Sequence, residues 1–90
     1  MPVTLDPDRR YALHPQVALR SEPFGALAYH YGNRRLTFLK SPDLVELVRD
    51  LSRHATVADA LEARGLDQRR RAAFLRALAT LESSEVIDAC

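Results

Sequence analysis

The sequence predicts an α+β domain in which a three-stranded antiparallel meander is followed by three helices. Three observations lead there: alternating residues broken by turn signals between Val17 and Leu39, three successive helix-start signals at Ser41, Thr56 and Asp67, and a length of 90 residues, enough for one small domain. Hydrophobic residues make up 47% and charged residues 28%, the balance of a globular chain rather than a disordered or fibrous one. A domain of this size hides only about 60% of its unfolded surface, so a deep catalytic cavity is not expected.

The first fifteen residues hold Pro2, Pro7 and Pro15 without a clear period and are expected to form a loose arm, residues 1–15, ahead of a domain at 16–90. From Val17 the pattern alternates, Val17 and Leu19 against Ala18, Arg20 and Glu22, as a half-buried strand requires. Strands are expected at about 17–22, 24–31 and 34–39. Gly32-Asn33 is read as a two-residue hairpin loop, which sets Tyr31 opposite Arg34, Tyr29 opposite Leu36 and Leu27 opposite Phe38. That loop directs the amides of Leu36 and Phe38 into the sheet and those of Arg35, Thr37 and Leu39 to the free edge. By its apolar character, the face of Leu27, Tyr29, Leu36 and Phe38 is expected to be the one the helices cover. Ala26, Ala28, His30, Arg35, Thr37 and Leu39 would then lie outside.

Helices are expected at about 42–53, 57–64 and 68–82. Ser41-Pro42 pairs an N-cap oxygen with a proline at the first helical position. Thr56 caps the second helix and Gly65 is placed to end it with positive φ. Asp67 caps the third, whose apolar stripe is Phe74, Leu75, Leu78 and Leu81, with Arg71 on its N-terminal extension. Val86 and Ile87 are candidates for a brief last strand.

Chemistry is sparse. His14, His30 and His54 are expected to be isolated from one another, with Cys90 remote from all three, so no metal set is expected, and a solvated role is expected for His30. No nucleophile elbow, phosphate loop or carboxylate pair points to catalysis, and no cofactor is implied. The single cysteine allows no internal disulfide, which suits a reducing, cytoplasmic setting, and no apolar run approaches the length of a membrane span. Charge is uneven. Asp67 to Leu81 holds Arg69, Arg70, Arg71 and Arg76 against Asp67 alone, and Met1 to Lys40 carries six basic and three acidic residues. Together these could form a patch for an acidic partner.

Two readings of such a patch compete. The arrangement resembles a winged helix-turn-helix, but beside Arg69 and Arg76 the outward face of the last helix shows Ala72, Ala73, Ala79 and Thr80, where base readout wants Asn, Gln, Arg or Lys. The third strand of the meander has a neighbour on one side only, a template for an incoming peptide strand.

The segments Leu13-His14-Pro15, Val17-Ala18-Leu19-Arg20, Glu22-Pro23-Phe24-Gly25-Ala26-Leu27, Arg34-Arg35-Leu36 and Phe38-Leu39-Lys40-Ser41-Pro42, with Tyr29 and Gly32, resemble the MftB family of mycofactocin biosynthesis. That family is similar to PqqD and belongs with the RiPP recognition elements. The resemblance implies a peptide-binding, non-catalytic protein that grips the leader of the precursor MftA and presents it to the radical S-adenosylmethionine enzyme MftC. It also implies that the leader pairs with Arg34, Arg35, Leu36, Thr37, Phe38 and Leu39 and packs against Arg71, Phe74, Leu75 and Leu78.

Overall fold

The structure is a computed structural model that describes residues 5–90. In chain order its elements are strands β1 (Tyr11–Leu13), β2 (Val17–Glu22), β3 (Gly25–His30) and β4 (Leu36–Leu39), helix α1 (Pro42–Asp50) with a 3-10 turn at Leu51–Arg53, helices α2 (Val57–Ala63) and α3 (Gln68–Ser83), and strand β5 (Ile87–Ala89). The order β2-β3-β4 is the expected meander, followed by the three expected helices.

The helices begin where their caps stand. Ser41 Oγ accepts from Leu44 N at 3.3 Å, Thr56 Oγ1 from Asp59 N at 3.0 Å, and Asp67 Oδ1 from Arg70 N at 2.9 Å. Gly65 follows α2 with φ +66, a value that carries no steric penalty for glycine.

The meander keeps the expected register, with Tyr29 opposite Leu36 and Leu27 opposite Phe38, but by a different turn. His30 N donates to Arg35 O at 3.0 Å and Arg34 N to His30 O at 2.7 Å, so the loop is the four residues Tyr31 to Arg34, not the pair Gly32-Asn33. The positive φ falls on Arg34, at +61. The His30 side chain is the reason. Its Nδ1 accepts the amides of Gly32 at 3.0 Å and Asn33 at 3.1 Å, which folds the loop back over a ring that is itself buried. The solvated role expected for His30 is therefore wrong. His14 also stacks on it, with ring centroids 4.4 Å apart, so these two histidines are not isolated.

The covered face is the opposite of the expected one. Ala26, Ala28, His30 and Leu39 are buried beneath the helices, whereas Leu36 and Phe38 are 57% and 59% exposed. Methyl side chains let the helices approach the sheet closely, and the space they leave is filled by Leu44, Val48, Leu61, Leu78 and Leu81 from the helical layer. Small residues on the inner face thus outweigh the greater apolar area of the outer one.

The arm is not loose over its described part. Tyr11 pairs with Ala89 and Leu13 with Ile87, forming a second, two-stranded sheet. Just ahead of it, Pro7 O and Arg9 O accept from Ala58 N at 2.9 Å and Val57 N at 3.1 Å, which satisfies the first amides of α2. Leu5 and Tyr11 are buried in the core. The expected arm over 1–15 fails as a description of residues 5–15, and its first four residues lie outside the described ones.

Candidate functional site

The site is built on one strand with an open side. β4 pairs with β3 alone, and among the described residues nothing pairs with its other edge. β5 and the arm could have filled that edge but pair with each other instead.

The four-residue turn decides which amides the edge offers. Antiparallel pairs alternate between hydrogen-bonded and non-bonded. The His30 N to Arg35 O bond makes 30/35 a bonded pair, so Ala28/Thr37 and Ala26/Leu39 are bonded as well. The Tyr31 N to Gln16 O bond, at 2.7 Å, agrees: odd-numbered residues of β3 turn their amides to β2 and even-numbered ones to β4. Leu36 and Phe38 therefore point their N–H and C=O groups at the open side, while Thr37 and Leu39 point theirs inward. This reverses the expectation drawn from a two-residue loop.

The side chains divide in the same way. Leu36 and Phe38 stand on the outer face, Thr37 is half-buried on the inner side, and Leu39 is fully buried there. Arg34 and Arg35 are exposed at the turn. Of the expected helix positions, Phe74 and Leu78 belong to the core, at 9% and 0% exposure, and Arg71 and Leu75 are half-buried on the flank of α3. Arg76 is exposed on another side of the helix, where it lines a depression with Ala79, Thr80 and Ser83.

Two contacts that sequence reading did not single out tie α3 alongside β4. Arg70 Nη2 meets Asp43 Oδ2 at 3.0 Å, just beyond the C-terminal end of β4, and stands over the Phe74 ring, 5.7 Å from its centroid. At the opposite end Asn33 Nδ2 donates to Glu85 Oε2 at 2.8 Å. Helix and strand consequently run in opposite directions, held together at both ends. Asp43 supplies an acidic partner for one of the three consecutive arginines; both side chains are about half exposed, so the pair contributes at most about 1 kcal/mol. Among the described residues Arg69 and Arg71 have no ion-pair partner. A signal for the Arg70 contact did exist in the sequence, in an unbalanced arginine run and an acid in the first turn of α1.

Among the described residues no group of three or more His, Cys, Asp and Glu side chains could hold a metal ion. No helix of the described residues is long and apolar enough to cross a membrane.

A three-stranded meander backed by three helices, with one edge of its last strand open among the described residues, defines a PqqD-like domain of the winged-helix type. The family model described as the peptide chaperone MftB family matches residues 10–88, and the chain belongs to that family. It is 48% identical over 82 residues to the peptide chaperone MftB of Mycobacterium ulcerans, covering 91% of this chain and 75% of that one. Against the peptide chaperone MftB of Mycolicibacterium smegmatis the identity is 46% over 85 residues, covering 94% and 83%. The Mycobacterium tuberculosis protein of the same name is 43% identical over 82 residues, covering 91% and 75%. No solved structure gives a significant match. Family membership favours peptide binding over the DNA-binding alternative.

Proposed function

We propose that this chain is a cytoplasmic, non-catalytic chaperone that takes the leader of the precursor peptide MftA as an added strand on β4. It then presents the peptide to the radical S-adenosylmethionine enzyme MftC for modification of the C-terminal Val-Tyr. The observation that carries this reading is the unpaired edge of β4, with the amides and carbonyls of Leu36 and Phe38 turned outward. Arg34, Arg35, Thr37 and Leu39 complete the strand. Leu75 and Arg71 offer the half-buried flank of α3 to the leader, with Phe74 and Leu78 as the floor beneath it.

Energetics place specificity in side chains. Leu36 and Phe38 offer one donor and one acceptor each, about four bonds at about 1 kcal/mol net apiece. Ordering five or six peptide residues costs about 1–2 kcal/mol each and outweighs them. Affinity therefore has to come from apolar anchors, at about 1.5–3 kcal/mol each, and from carboxylates on the free arginines.

Calorimetric titration with the MftA leader tests the proposal, read together with amide chemical shifts. Binding, with shifts concentrated at Leu36 and Phe38, is expected. A leader that gives no heat, or that shifts only residues of α2, would refute it. Within the same titration, Arg71→Glu is expected to weaken binding about 5- to 30-fold, the worth of one charge-assisted contact, and Arg76→Glu less than about twofold. Equal losses would exclude the α3 flank from the site.

A further inference from the structure

Among the described residues no layer covers the sheet's outer face. Phe24, in the turn between β2 and β3, is 43% exposed and packs against Phe38 with ring centroids 5.9 Å apart. With Lys40 these two rings line a shallow apolar depression of about 400 Å³. Leu36 extends the apolar surface along β4, and Leu27 and Tyr29 extend it across β3 as half-buried neighbours. An apolar hollow with an aromatic wall suits a single inserted side chain at the centre of an interface.

Charge selects the kind of partner. Lys40, which lines the hollow, and Arg34 and Arg35, at the turn that leads into β4, are exposed and have no ion-pair partner among the described residues. Arg20, on the outer face opposite Leu27, pairs only with Glu22, at 3.4 Å. A two-fold dimer through this face would set the basic rim against its own copy, so a second copy of the chain is a poor occupant. Carboxylates around an apolar knob would fit.

We infer that the outer face of the β2–β3–β4 sheet is a docking surface, separate from the β4 edge, for a folded protein that inserts an apolar side chain ringed by carboxylates beside Phe24. This rests on the function proposed above in one respect: it takes that protein to be the enzyme that modifies the captured peptide. Geometry supports the link. A strand added to β4 continues the same sheet, and alternate side chains of the added strand emerge on the outer face beside Leu36 and Phe38. A protein docked on that face therefore lies beside the bound peptide.

Phe24→Glu and Arg20→Glu test this, since neither residue belongs to the peptide edge. Each variant is titrated separately with purified MftC and with the MftA leader, and its mass is measured in solution. Phe24→Glu is expected to weaken enzyme binding about tenfold or more, as loss of a central anchor does, and Arg20→Glu about threefold, with the latter effect shrinking in high salt. Leader affinity should stay within about twofold of the unaltered chain in both. Unchanged enzyme affinity overturns the inference, and so does an unaltered chain that fails to bind the enzyme. An equal loss of leader affinity would assign the face to the peptide instead, and a dimer that Phe24→Glu dissociates would assign it to a second copy. If circular dichroism shows Phe24→Glu unfolded, the exposed Arg20→Glu decides alone. Failure of the peptide reading is seen separately, as absence of leader binding by the unaltered chain.

Discussion

Gly25→Ala is expected to lower the unfolding free energy by about 3 kcal/mol or more. Gly25 opens β3 with φ +148, a conformation that costs an L-residue about 1–3 kcal/mol. A Cβ there would overlap the carbonyl oxygen of Leu39 and lie 3.0 Å from the amide of Ser41. Neither atom can give way freely. Leu39 is fully buried and ends β4, and Ser41 caps α1, so relief of the overlap moves the sheet edge and the helix start together. A domain of this size has a total stability toward the low end of about 5–15 kcal/mol, so the loss is a large part of it. Gly65→Ala is the control. Its φ of +66 is also positive, but a Cβ there meets nothing within 4 Å, so about 1 kcal/mol is expected. Thermal unfolding followed by circular dichroism should show Tm lower by about 12 °C or more for Gly25→Ala and by about 4–8 °C for Gly65→Ala. Equal shifts would mean that the Gly25 approach is not the tight contact described.

Gly25 also shows where sequence reasoning succeeds and where it stops. Local signals were legible: each cap at Ser41, Thr56 and Asp67 acts within three residues of itself. The β3–β4 register was legible too, because a two-residue loop at 32–33 and a four-residue loop at 31–34 place the same residues opposite one another. The loop itself was not legible, since it depends on the His30 ring accepting the amides of Gly32 and Asn33. That one substitution of turn type exchanges the roles of odd- and even-numbered residues at the open edge. The covered face was not legible because close approach decides it rather than apolar area, through Ala26, Ala28 and the missing side chain of Gly25, which leaves Leu36 and Phe38 on the outside. The docking of the arm was not legible because the acceptors it brings to α2, Pro7 O and Arg9 O, are about fifty residues from the amides they satisfy. For the candidate site, this means that a third strand with an open edge was legible in the sequence, while which of its amides face that edge was not.

Phe38→Pro is expected to abolish strand addition by a peptide while the domain stays folded, and Thr37→Pro to unfold it. The Phe38 amide points to the open edge, so proline there removes no bond from the sheet, and edge strands tolerate proline for that reason. An incoming strand would lose one bond of about 1 kcal/mol and leave a carbonyl facing the ring, a further cost of about 1–3 kcal/mol. Together these correspond to a loss of roughly 30-fold or more in affinity. The phenyl ring is lost as well, so Phe38→Ala is the reference: the difference between the alanine and proline variants isolates the amide. Thr37 lies opposite Ala28 in a bonded pair, and proline there removes a ladder bond and pushes its ring against β3. The neighbouring Leu39 is part of the core, so distortion of this four-residue strand reaches the packing beneath. Leader titration alongside circular dichroism separates the outcomes. If Thr37→Pro folds and loses the leader while Phe38→Pro unfolds, the amides alternate the other way, as a two-residue turn would have them. If Phe38→Pro binds the leader as well as Phe38→Ala does, the peptide does not pair with this edge.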